Sequence, residues 1–364
     1  MVRKLKILHI INGEHYAGAE RVQEYILTSL VSDSRFEIIL LIYKQGVFIE
    51  KSSLGDNIEI LEFPKLGFFG VLRKLRLIKP DIIHAHSPIT LFLAKLLGVF
   101  LPRFSFFYHA HSPVVEDTEQ PIKNKIKFLL EKFFINRDLD KILCVSLSVK
   151  NKSPHFSGAK KLDVLYNGVL VYDGAVKEKD NENFRIAFVG LIRPRKGIEV
   201  LIRAISNLPD NVKENILVDV YGQFETSSYQ AEVERLISLS NLPNKFIIHG
   251  FKKDIAYQIT DSDIFVIPSL YGEGLPMVLL EAMSSGVAII ASNTDGIPEV
   301  IEHGVTGMLF SPGDDQELSR NIELLKSDSV LRNSLIERAS VLQSSVFSEK
   351  SMCENVKNMY LGIK

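Results

Sequence analysis

Short apolar runs alternate with helical patterns along almost the whole chain, and no other feature restricts the fold so tightly. The stretches 4–12, 36–43, 58–63, 81–86, 104–111, 141–146 and 162–166 read as strands, with helical periodicity between most of them. A second series starts at Phe184 and places strands at 184–189, 216–221, 245–249, 264–267, 288–291 and 307–310, with helical patterns from Asp315 onward. A run such as Ile264-Phe265-Val266-Ile267 is apolar on both faces, as a strand buried inside a parallel sheet requires. Between the two series, residues 171–183 are polar and charged and read as a linker. The expected fold class is therefore α/β, with two Rossmann-like domains facing each other across a cleft. They cover residues 1–170 and 184–346, and a C-terminal helix at about 347–364 packs back onto the first. In such sheets ligands bind beyond the carboxyl ends of the strands, so the loops there carry the chemistry.

Charge and composition exclude several classes. Lys and Arg number 43 against 44 Asp and Glu, which gives no signal for a nucleic-acid partner. Cys144 and Cys353 lack metal-ligand spacing, which fits a reducing, cytoplasmic setting. The N-terminus is basic and then apolar, but the run is short and broken by His9, so it reads as a first strand rather than a signal segment. The longest apolar segment, 89–101, is interrupted by Lys95 and falls short of the roughly 20 residues that span a bilayer.

The loop after 264–267 holds Glu273, Gly274, Leu275 and Pro276, followed by a helix that Gly286 ends. Pro276 suits the first helical position, so the loop lies at a helix N-terminus that favours phosphate or hydroxyl ligands. Glu273 and Glu281, eight positions apart, offer two acceptors; the alternative is a first-turn dipole partner and a solvated helix residue. The strand at 184–189 leads into Gly190 and a basic loop with Arg193, Arg195 and Lys196, cations suited to a diphosphate leaving group. Gly222 and His249 end two further strands, the latter reading first as a hydrogen-bonded structural residue. His84 and His86 form one pair and His109 and His111 another; without Cys or carboxylate neighbours they read as strand-face residues, and no metal is expected. Stretches 64–80 and 122–137 interleave apolar and basic residues, which fits either docking to an anionic membrane or core-facing helices with snorkelling lysines.

E-G-L-P-M-V-L-L-E followed by A-M-x-x-G resembles the Glu-(seven residues)-Glu signature of retaining, nucleotide-sugar-dependent glycosyltransferases of the GT-B fold, group 1 / family 4 type. Supporting matches are A-G-A-E-R with Gly18, D-I-I-H-A-H at 81–86, and V-G-L-I-R-P-R-K-G at 189–197. Leu191 stands where the family usually has arginine, and Asp295 where the family's G-G-x-P-E segment begins with glycine. The resemblance implies that Glu281 holds ribose hydroxyls and that Glu273, Gly274 and Leu275 hold the sugar. Lys196, with Arg193 or Arg195, holds the diphosphate. Gly18, Gly190, Gly222 and His249 complete the donor site, and His111, with His109 as second choice, lies beside the transferred sugar. It implies hexosyl transfer from a UDP- or GDP-linked donor, without metal or other cofactor, to a glycan or polyprenyl-diphosphate-linked acceptor. The setting it implies is bacterial surface-polysaccharide synthesis at the inner membrane face. A silent nucleotide-sugar binding protein and a GT-B epimerase are the competing readings.

Overall fold

The computed structural model describes residues 3–362 apart from 15, 55–57, 115–120, 136–138, 159–160, 176, 180–181, 241 and 243. His15, Arg137 and three positions of the expected linker lie outside the described residues. The chain forms two compact units, residues 1–168 with 349–364, and residues 169–348.

The first unit is built on a parallel sheet of β1 (Leu5–Ile11), β2 (Phe36–Ile42), β3 (Glu59–Glu62), β4 (Ile82–Ala85), β5 (Ser105–Ala110), β6 (Lys141–Cys144) and β7 (Leu162–Val164). Its spatial order is β3-β2-β1-β4-β5-β6-β7. The second unit holds β8 (Phe184–Val189), β9 (Ile216–Tyr221), β10 (Phe246–Gly250), β11 (Ile264–Ile267), β12 (Ala288–Ser292) and β13 (Met308–Phe310) in the order β10-β9-β8-β11-β12-β13. Each sheet reverses direction of growth beside its first strand, β1/β4 in one and β8/β11 in the other. Loops leaving those strands diverge to opposite faces and leave a crevice at the carboxyl ends.

The apolar runs explain the burial. Ile264, Phe265, Val266 and Ile267 are all buried, with Ile264 and Val266 packed in a core of Ile186, Phe188, Val218, Val220 and Ile290. The helix Ile198–Asn207 contributes Ile198, Leu201, Ile202 and Ile205 to the same core, a stripe at helical spacing. The helix Glu349–Leu361 belongs to the first unit, where Cys353 Sγ lies 3.5 Å from the Tyr25 carbonyl oxygen. Residues 171–183, expected as a linker, are bonded into the second unit: the Tyr172 amide donates to Ser284 Oγ and the Lys177 amide to Thr260 Oγ1. Pro276 is not the first helical residue. Its ψ of 122° keeps it at the N-cap of the helix Met277–Ser284, and Gly286 with φ 69° follows the C-cap Ser285.

Candidate donor site and histidine cluster

The β8 and β11 loops meet at the switch point of the second sheet. Pro194–Lys196 forms one short 3-10 turn, and Gly197 caps the helix Ile198–Asn207. A Cβ on Gly197 would sit 2.0 Å from the Pro268 carbonyl oxygen, so only glycine allows the two loops this approach. The Leu270 amide donates to the Arg195 carbonyl, and Arg195 Nη1 donates to the carbonyls of Tyr271 and Gly272 at 3.2 and 3.0 Å. These bonds carry Lys196 Nζ to 2.5 Å and Arg195 Nη1 to 3.6 Å from Glu273 Oε1. Ser269 Oγ donates to the same oxygen at 2.7 Å.

Glu273 is only 5% exposed. Burial alone would raise its pKa, but the charges of Lys196 and Arg195, with hydrogen bonds from Lys196 and Ser269, outweigh it and hold the carboxyl below its usual value. Burial lowers the Lys196 pKa, reinforced by Arg195 and Arg193 and opposed by Glu273. The Glu273 amide donates to Asp295 Oδ2 at 2.9 Å, and its carbonyl accepts from the Gly296 amide. Asp295 holds φ 55°, a region that Asp tolerates better than most residues, and so clamps the loop where the family's glycine could not. Gly274 and Leu275 follow in the same buried loop. Glu281 is 4% exposed, which rules out the solvated alternative for it.

Gly190 and Gly222 end β8 and β9 at φ 154° and 138°, and a Cβ on Gly222 would fall 1.8 Å from the Gly190 carbonyl oxygen. Arg193 pairs with Glu225 at 3.4 Å, while Leu191 is 44% exposed and supplies no charge. His249 donates or accepts at 2.6 Å with Asp219 Oδ1 and stacks on Tyr221 at 4.6 Å between ring centroids. Asp219 is also held by Arg185 Nε and Nη2. That network escaped the sequence reading; its signal was an Asp inside the apolar strand Ile-Leu-Val-Asp-Val-Tyr.

Gly18 and His111 belong to the first unit and Lys196 to the second. Gly18 starts the helix Gly18–Val31. His111 follows β5 and is half-buried, whereas His109 is fully buried, so His111 is the more accessible of the two candidates. They belong to a larger cluster that includes His9 on β1, with His84 and His86 at the end of β4.

Two doubly wound parallel sheets in one chain are the architecture of the GT-B fold. The HepE protein of Anabaena, solved with UDP, shares this fold with a TM-score of 0.83 at 20% identity, over 99% of this chain and 100% of that one. An uncharacterized glycosyltransferase of Methanocaldococcus jannaschii is 26% identical over 99% of both chains. The UDP-Gal:alpha-D-GlcNAc-diphosphoundecaprenol alpha-1,3-galactosyltransferase of Escherichia coli is 23% identical over 99% of this chain and 97% of its own. The Glycosyltransferase Family 4 model matches residues 35–171 and the Glycosyl transferases group 1 model residues 173–341. The chain belongs to this group 1/family 4 class of glycosyltransferases. Among the described residues no helix is long and apolar enough to cross a membrane.

Proposed function

We propose that the protein is a retaining hexosyltransferase that uses a nucleoside-diphosphate sugar and builds a bacterial surface polysaccharide on a glycan or polyprenyl-diphosphate-linked acceptor. The observation that carries this reading is the Lys196–Glu273–Arg195 knot. A bound diphosphate offers the two cations a denser negative charge than one carboxylate, which frees Glu273 to accept hydrogen bonds from sugar hydroxyls. The same cations neutralise charge on the departing diphosphate, so donor binding needs no bridging metal. In the step, the bond from the anomeric carbon to phosphate oxygen breaks and one to the acceptor oxygen forms on the same face. The acceptor's proton passes to the leaving phosphate. Glu281 is assigned to the ribose, Gly274 and Leu275 to the sugar, and His111 to the sugar side of the first unit. The UDP series comes first because the Anabaena neighbour was solved with UDP and with UDP-glucose.

The acceptor reading draws on the name of the Escherichia coli relative, whose acceptor is a diphosphoundecaprenol, and on one surface of the first unit. The helix Pro121–Ile135 exposes Ile122, Ile126, Leu129 and Phe133, at spacings of four, three and four, among Lys123, Lys125 and Lys132. Its buried positions include Asn124 and Glu131, with Glu131 bonded to Tyr108 and His155. The apolar stripe therefore faces outward, as a helix lying on an anionic bilayer requires. Phe69 and Leu77 on the segment Phe63–Ile78 of the same unit are also exposed. These features support a peripheral position, which we assign to the cytoplasmic face of the membrane.

The test is transfer from UDP- and GDP-hexoses to a detergent-dispersed polyprenyl-diphosphate sugar, with the product's anomeric configuration read by NMR. Retained configuration, with turnover falling about a hundredfold or more in Lys196→Ala, supports the proposal. Nucleotide binding with no transfer to any acceptor would favour a silent binding protein, the reading that Leu191 supports.

A further inference from the structure

Five histidines meet at the carboxyl ends of β1, β4 and β5. His9, His84 and His109 are 0% exposed and His86 is 4% exposed. Members of each i, i+2 pair share a strand face, and adjacency of the three strands brings the pairs together. Burial, reinforced by the neighbouring imidazoles, keeps His84, His86 and His109 neutral, and burial lowers His9 to about 3.

The hydrogen bonds admit a continuous chain of tautomers through the cluster. Tyr360 Oη lies 2.5 Å from His84 Nδ1 and 3.3 Å from His9 Nε2. One consistent assignment has Tyr360 donating to His84 and accepting from His9 Nε2–H. His9 Nδ1 is then an acceptor, and His86 Nε2 donates to it at 3.0 Å. That leaves a lone pair on His86 Nδ1, which faces His111 Nε2 at 3.4 Å. Beside them, both ring nitrogens of His109 are buried without a hydrogen-bond partner among the described residues. Leaving two polar atoms so is costly unless something else engages them.

We propose that His86, His109 and His111 bind one divalent first-row transition ion of the zinc type. One nitrogen from each lies within 4.8 Å of the others. Zinc–imidazole bonds of about 2.0–2.1 Å in a tetrahedron put nitrogens about 3.4 Å apart. One edge already has that length, and modest ring rotations close the others. The chain from His86 Nε2–H through His9 to Tyr360 is the outer shell that orients a ligating imidazole. The group contains no carboxylate, so the ion keeps its double charge, and half-buried His111 leaves a fourth position for water or an anion. The site takes His111, which is assigned above to the sugar side of the first unit, but its test reads metal retention and so does not depend on transfer.

The full chain, stripped with chelator and dialysed against Zn2+, is expected to retain about one ion per chain by elemental analysis. With Co2+ it should show the visible absorption of a low-coordinate imidazole complex. His109→Ala and His109→Gln should abolish both signals while UDP binding persists, and Tyr360→Phe should weaken binding by about tenfold or more. A wild-type protein that retains no stoichiometric ion would overturn the proposal. So would His109 variants, folded by their melting curves, that bind as the wild type does.

Discussion

Removing Glu273 should destabilise the empty protein and make it more responsive to a diphosphate. Lys196 and Arg195 have side chains only 14% and 11% exposed, and Glu273 is the counter-charge at 2.5 and 3.6 Å. Breaking a buried pair by deleting one partner costs about 3–5 kcal/mol, because the remaining charge is left uncompensated. For a unit of this size each kcal/mol shifts the melting midpoint by about 2–4 °C. The low end of the range gives Glu273→Ala a fall of about 6 °C or more in the transition of the second unit. UDP restores the missing negative charge, so its stabilisation of the variant should exceed that of the wild type by about 1 kcal/mol or more at the same saturating UDP concentration, because the variant binds it more tightly. The assay is calorimetry on both proteins with and without UDP. An apo loss below about 0.5 kcal/mol, or equal stabilisation by UDP, would refute the view that Glu273 balances the diphosphate cations.

Three further expectations follow from the same geometry. Gly222→Ala forces a methyl to 1.8 Å from the Gly190 carbonyl and should cost about 2 kcal/mol or more in urea denaturation; an unchanged midpoint contradicts the close approach. In chelator-treated protein the depressed His9, His84, His86 and His109 bind protons only when the chain unfolds. Stability is therefore intact above about pH 6.5 and falls as pH drops toward 3, the His9 value, by up to about 1.4 kcal/mol per pH unit for each histidine; a flat profile from pH 7 to 5 would contradict this. Leu191→Arg, at a 44% exposed position beside the cations, should tighten UDP binding severalfold in a titration, and weaker binding would remove the loop from the donor site.

The strands were legible because runs such as Ile264–Ile267 are too short and too apolar for anything but a covered parallel strand. Glycines at 190, 197, 222 and 286 punctuated them. Less visible was whatever depends on which strands become neighbours. Lys196 and Glu273 lie 77 positions apart and meet only because β8 pairs with β11. His9 joins the four other histidines only because β1 pairs with β4, which turns two strand-face pairs into a cluster. The sidedness of the helix Pro121–Ile135 was hidden for another reason. Its apolar periodicity is the same whether the stripe is buried or exposed, and the buried face is held by Glu131 bonding to Tyr108 and His155. Asp295 had a readable position but no readable role, since its bond to the Glu273 amide depends on an unusual φ.

The central claim is that the second unit holds a nucleoside diphosphate through Lys196, without a bridging metal. Calorimetric titration of UDP and GDP into wild type and Lys196→Ala, with chelator present, tests it most directly. One series should bind the wild type in chelator, and the variant should bind it about tenfold or more weakly. Absence of binding by both nucleotides, or equal affinity in the variant, would contradict it.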